Sequence, residues 1–296
     1  MKKENLLEFI GGIEEDFIEE AAPKTFISKQ RFPVRFLSVA ACFLVAVGVG
    51  TGVLAWQNRP FPDLSGRYEE KYVAKDEKEM TSFVQVTGTT IDAYMSVSLG
   101  NHSYRRKGRI PDECISDVFT VSDILTSGAE LELYRVKNIS EDYALSMKVW
   151  DGTFDVLLSS TYLPETVGEW KNAMSPEKNA EITSVRYSFT DQNGERKTVE
   201  FENVDQSRIH TVLFGNERAK IKTFSDEPDS ICITVKMDIP SLALKDYVIC
   251  ISTSGDVYAK MPERVGTYRI GKETVHGLIT YLAENCEGKE LIYLQN

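Results

Sequence analysis

Residues Phe36 to Trp56, "FLSVAACFLVAVGVGTGVLAW", run for 21 positions without a charged side chain. A helix of that length reaches about 31 Å, the thickness of a bilayer's hydrocarbon core. A buried core helix this long would carry a polar face, and this run offers only Ser38, Thr51 and small residues. A secretory signal would begin with a short basic stretch, whereas 35 residues carrying seven acids come first. The run therefore reads as one membrane span. Lys24, Lys29, Arg31 and Arg35 precede it, while Arg59 and Arg67 follow among prolines and acids. That asymmetry places the N-terminus in the cytoplasm and the C-terminal part outside the cell membrane.

The remaining chain divides around this span. The expected parts are a cytoplasmic segment over 1–35, the span over 36–56, and a polar stalk over 57–82 that opens on Pro60 and Pro62. Two β-rich halves follow, over 83–178 and 179–296. The net charge of −11 argues against a protein that works by neutralising nucleic-acid phosphates. Cys114, Cys232, Cys250 and Cys286 lie beyond the span without CxxC or CxxH spacing, so the sequence leaves their pairing open.

From Phe83 onward the apolar pattern has period two. "ELELYRVK" (130–137), "ALSMKVW" (144–150) and "FDVLLSS" (154–160) alternate as half-buried strands do, with Asp151-Gly152 marking a hairpin. Asn193-Gly194 and Ser254-Gly255 mark two more, and "ICITVKMDI" (231–239) alternates throughout. These hairpins predict that residues 83–296 fold without the anchor. In "KETVHGLITYLAENCEG" the period changes: Val275, Leu278, Ile279 and Leu282 stand at helical spacing, with Gly288 as a stop. Helices covering antiparallel strands give an α+β ectodomain. Asp142-Tyr143, Tyr162 and Glu165-Thr166-Val167 are matched by Asp246-Tyr247, Tyr268 and Glu273-Thr274-Val275. The match reads either as a duplicated hairpin-plus-helix unit or as chance agreement among common residues.

Residues that could carry chemistry are sparse. His102, His210 and His276 are far apart, and none has a second ligand at metal spacing, so no metal and no cofactor is expected. Ser175 and Lys178 form an S-x-x-K string without a companion K-T-G. The chain has no G-x-S-x-G, P-loop, H-E-x-x-H or dinucleotide fingerprint. Paired carboxylates for glycoside hydrolysis exist in any acidic sequence, which keeps a surface hydrolase as a minor reading. The expectation is a protein that is not an enzyme.

The N-terminal stretch "LLEFIGGIEEDFIEEAA" (6–22) is more informative. Leu6, Ile10, Ile13, Phe17 and Ala21 share one helical face, with Leu7 and Ile18 alongside. Acids fill the other positions, including Glu14 and Glu15, and Gly11-Gly12 suggests a bend between two short helices. A segment this short cannot bury its own apolar face. A membrane-surface helix would want basic residues here. Apolar anchors with an acidic rim suit a groove on a basic protein, which makes Leu6, Ile10, Ile13, Glu14, Glu15, Phe17 and Ile18 the candidate partner-binding residues.

An N-terminal "LLEFIGGIEEDFIEEAA", a basic flank, one span and a β-rich exterior resemble the membrane-anchored anti-sigma-factor-like proteins of clostridial-type bacteria. "DYVICISTSGDVYAKM" and "YRIGKETVHGLITYLAEN" carry the resemblance at the other end. It implies that the cytoplasmic segment sequesters an extracytoplasmic-function sigma factor while the ectodomain senses envelope state. Zinc-binding members carry H-x-x-x-C-x-x-C, and no His or Cys precedes Cys42 here, so the resemblance is to the non-zinc type. The alternative is a membrane-tethered extracellular binding module with no sigma-factor partner.

Overall fold

The computed structural model describes residues 60–73, 96–122, 131–224, 230–262 and 264–293. The partner-binding segment expected over 1–35 and the span expected over 36–56 lie outside the described residues. Among the described residues no helix is long and apolar enough to cross a membrane. All of them belong to the second of two compact units, Arg59–Asn296.

Strand β1 (Glu69–Val73) comes first, inside the stretch expected as a polar stalk. Six strands then form one antiparallel sheet: β2 (Ser96–Leu99), β3 (His102–Ile110), β4 (Ile115–Ser122), β5 (Leu131–Val136), β6 (Ala144–Lys148) and β7 (Phe154–Ser159). Their spatial order is β2-β3-β7-β6-β5-β4. Two short helices, α1 (Val167–Met174) and α2 (Pro176–Asn179), lead out of this sheet. Thr166 caps α1 by accepting from the Glu169 amide at 3.2 Å, and the Glu169 carboxylate accepts the Glu165 amide at 2.8 Å. This Thr-x-x-Glu exchange satisfies amides that the first helical turn leaves unpaired.

The second sheet takes β8 (Glu181–Thr190) and β9 (Arg196–Glu202), then α3 (Gln206–Phe214) and β10 (Lys222–Phe224) intervene along the chain. It continues with β11 (Ile231–Ile239), β12 (Leu244–Ser252), β13 (Asp256–Met261) and β14 (Arg264–Arg269). Helix α4 (Lys272–Asn285) and β15 (Glu287–Tyr293) complete it. The spatial order is β1-β15-β9-β8-β11-β12-β13-β14-β10, antiparallel throughout except where β1 adds to β15 in parallel. Gly152, Gly194 and Gly255 occupy the β6–β7, β8–β9 and β12–β13 turns at φ of +86°, +82° and +85°. That left-handed region is strained for any residue with a Cβ, which is why the Asp-Gly, Asn-Gly and Ser-Gly pairs end the alternating runs.

One core joins the two sheets. Ile233, Val235 and Met237 of β11 are buried on the face toward α4, which supplies Val275, Leu278, Ile279 and Leu282 at i, i+3, i+4 and i+7. Ile110, Val136, Ala144, Val156 and Leu158 bring one face of the six-stranded sheet into the same cluster. Trp170 of α1 fills its centre, edge-on to Phe214 at 5.2 Å and to Tyr268 at 6.2 Å. The division expected at 178/179 falls at the end of α2, and both sides of it share this core.

On the opposite face of the nine-stranded sheet an ion chain reaches across four strands, β1-β15-β9-β8, with its charged groups on β1, β9 and β8. Glu200 of β9 takes Arg186 of β8 at 2.8 Å on one oxygen and Lys71 of β1 at 2.7 Å on the other. Burial pushes the Glu200 carboxyl upward, and the two cations more than offset it, holding its pKa below the ordinary value. The strand expected as stalk is thereby tied to the middle of the sheet.

Candidate functional site

The candidate partner-binding residues Leu6, Ile10, Ile13, Glu14, Glu15, Phe17 and Ile18 lie outside the described residues. The three histidines stand on separate elements. His102 Nε2 is 3.6 Å from Asp142 Oδ1 at the surface. His210 is buried in α3 beside Phe214, and desolvation lowers its pKa. His276 on α4 stacks on Phe61 at 4.3 Å with ring planes 9° apart. Among the described residues no group of three His, Cys, Asp or Glu side chains is placed to hold a metal. Ser175 sits at φ +44° between α1 and α2, with its hydroxyl toward the Asn172 carbonyl at 3.5 Å. Lys178 meets it through the main chain, its amide donating to the Ser175 carbonyl at 2.9 Å. Cys114, Cys232, Cys250 and Cys286 are free thiols, and burial pushes Cys232 and Cys250 up to about 12.

Among the described residues, residues 60–66 border a concave surface. This short strap crosses the end of the nine-stranded sheet near the β8–β9 hairpin. Asp63 starts it with a local turn: its Oδ1 accepts the Ser65 amide at 2.9 Å and the Ser65 hydroxyl at 2.5 Å. These bonds hold the Asp63 carboxyl below its usual pKa. The turn points Leu64 into the core, where it is 3% exposed. Tyr187 donates its hydroxyl to the Pro62 carbonyl at 2.8 Å. Glu290 accepts the Gly66 amide on one oxygen and Lys197 on the other, at 3.3 and 2.9 Å. Tyr68 then donates to the Ala283 carbonyl and packs edge-on against Phe201.

Between the strap and the sheet end lies a cleft of about 440 Å³. Phe61, Phe189 and Ile231 supply apolar surface, and Thr190, Ser230 and Thr253 supply hydroxyls. The charge on its wall is Arg196, at the start of β9 and opposite Thr190 in the β8–β9 register. One guanidinium nitrogen donates to the Ile231 carbonyl at 3.3 Å. The lining is about as polar as it is apolar, and the volume lies near the lower end of the range of small-ligand sites.

Comparison with known proteins adds no family. The sequence matches no protein-family model, and comparisons with curated proteins and with solved structures return no match.

The cleft leaves no mark in the sequence, because Pro60 and Pro62 followed by charges look like a solvated linker. The usable signals were Asp63-Leu64-Ser65, a turn around one apolar residue, and the tyrosines at 68 and 72 in "RYEEKYV". Phe61 and Arg196 carry no signature of their own. They become neighbours only once β8, β9 and the strap meet.

Proposed function

We propose that this chain is a membrane-anchored, anti-sigma-factor-like regulator rather than an enzyme. Residues 6–22 sequester a cytoplasmic sigma factor, residues 36–56 cross the membrane, and the unit from residue 59 onward receives an envelope signal outside. The observation that supports this reading is mechanical. The strap is clamped by Tyr187, Glu290 and the core within ten residues of the expected span's end at Trp56. A regulator needs the start of its folded part held firmly, close in sequence to the expected span, whereas a simple tether does not.

The test is capture of an extracytoplasmic-function sigma factor, taken from a gene neighbouring that of this chain where one is found, by full chain in detergent micelles. Each of Ile13 and Phe17 buried in a groove contributes about 1.5–3 kcal/mol, so Ile13→Ala/Phe17→Ala should weaken capture by about a hundredfold or more. Glu14→Lys/Glu15→Lys should mainly slow association and change its salt dependence. Equal capture by wild type and the Ala pair would end the groove-docking reading. The cleft favours a second reading, a membrane-tethered binding module with no sigma-factor partner. Absence of capture by the wild-type chain would select it.

A further inference from the structure

We propose that the cleft beneath the strap binds a small organic carboxylate with an apolar body, taking the carboxylate on Arg196 and the apolar body against Phe61, Phe189 and Ile231. The inference rests on reading the folded unit as the part that receives a ligand, and it is independent of sigma-factor binding.

The charge argues first. In a chain of net charge −11, a cleft whose charged lining residue is an arginine selects anions locally against the field of the whole molecule. Arg196 forms no ion pair with any carboxylate among the described residues; its hydrogen bond goes to the neutral Ile231 carbonyl. That bond leans the exposed guanidinium toward the cleft wall, and the fork geometry of its other N–H groups matches a carboxylate in two-point contact. The hydroxyls of Thr190, Ser230 and Thr253 are on the same lining and can donate to the same anion. One cation balances a monoanion. A phosphate dianion would leave charge uncompensated, which disfavours it.

The size and the apolar part argue next. A volume of about 440 Å³ takes a molecule the size of an acylated amino acid or the last residues of a peptide, not a polymer. Phe189 stacks on Tyr187 at 5.2 Å, so its ring is fixed before any ligand arrives. Phe61 is fixed from behind by His276. Pre-set aromatic walls lower the ordering cost of binding. Because Pro60 and Phe61 belong to the strap itself, the occupant touches the strap directly.

The probe is N-acetyl-phenylalanine against its uncharged amide, titrated into the full chain in detergent micelles and followed by calorimetry and by melting temperature. Saturable binding of the acid, a shift to higher melting temperature, and binding at least about tenfold weaker for both the amide and the Arg196→Gln variant are expected. Arg196 is exposed, so the variant keeps its fold; Arg196→Lys should recover part of the affinity. A tripeptide ending in phenylalanine distinguishes the sources. Tighter binding than the single residue assigns a peptide C-terminus, and equal binding assigns a free carboxylate. No saturation below about 10 mM, or equal affinity for acid, amide and Arg196→Gln, overturns the proposal. Sigma-factor capture measured on the same preparation shows separately whether the regulatory reading stands.

Discussion

Removing the strap and β1 is the sharpest test of how this unit holds together. Hairpin signals alone place the start of the folded part at residue 83, and a fragment over 83–296 loses everything described between Pro60 and Val73. Leu64 and Val73 are 3% and 5% exposed, and each buried aliphatic contributes about 1.5–3 kcal/mol. The Lys71–Glu200 pair adds no more than about 1 kcal/mol, because the Lys71 side chain is 40% exposed. Tyr187 and Glu290 each lose a main-chain partner that water can replace in part. The loss comes to about 4–7 kcal/mol, against a typical total stability of about 5–15 kcal/mol. A fragment over 59–296 should therefore melt cooperatively, and the 83–296 fragment should melt about 10–25 °C lower or show no cooperative transition. Circular dichroism melts of the two fragments measure this directly. Equal midpoints would show that the strap and β1 are held only weakly, and would remove the mechanical support for the regulatory reading.

Three further outcomes follow from buried groups and turns. Glu200→Gln takes from Arg186, which is 3% exposed, the carboxylate 2.8 Å from its guanidinium, and should cost up to about 3–5 kcal/mol in denaturant titration; Arg186→Met/Glu200→Leu should recover part of that loss. The native Glu200 pKa is lowered, so its stabilisation is complete above the unfolded value of about 4.3 and is lost as pH falls through the folded pKa. His210 is also lowered, but as a base: below about 6.5 the unfolded chain takes a proton that the folded chain refuses. Stability should fall on acidification from that pH by at most about 1.4 kcal/mol per pH unit, until the folded pKa is reached, and His210→Phe should flatten that part of the profile. Gly152 and Gly255 share nearly the same φ, yet a Cβ at Gly152 meets nothing within 4 Å while one at Gly255 collides with the Gly271 carbonyl. Both Ala variants should therefore lose about 1–3 kcal/mol to backbone strain, with Gly255→Ala losing measurably more.

What could be read in advance follows from which forces act locally. The runs that became β6, β7, β11 and β12 could be placed because alternation and a Gly turn are properties of neighbouring residues. Helix α4 could be placed because its buried positions repeat at 3.6 residues. The pairing of β1 with β15 could not, since partners more than 200 residues apart leave no local mark on a five-residue strand rich in Glu and Lys. Strand β3 was equally hidden: "HSYRRKGRI" is dense in cations, and what makes it a central strand is Asp155 of β7, fully buried and held by Arg106 at 2.6 Å. The cleft was illegible for the same reason, being assembled from a strap, a hairpin and two strand ends that meet only in three dimensions.

The paired signatures in the two halves gain a spatial meaning once the sheets are in place. Tyr143 and Tyr247, each following an aspartate, are both buried and both line the small cavity where Lys107 and Lys260 also meet. Tyr162 packs on Tyr143 at 5.4 Å, while Tyr268, its counterpart, donates to the Leu213 carbonyl at 2.7 Å. Burial raises the pKa of all four phenols, so each stays neutral and acts as a packed hydrogen-bonding group rather than an acid. Two of the matched tyrosines therefore share one cavity lining, while the other two stand on different contacts. The halves also differ where it matters. The second inserts β14 between its hairpin and its helix, and its β11–β12 layer borders β8, whose end forms the cleft wall. On the duplication reading, the half that differs by an added strand is also the half whose β8 end and β9 start line the cleft, and the first half's hairpin and helix contribute nothing to that lining.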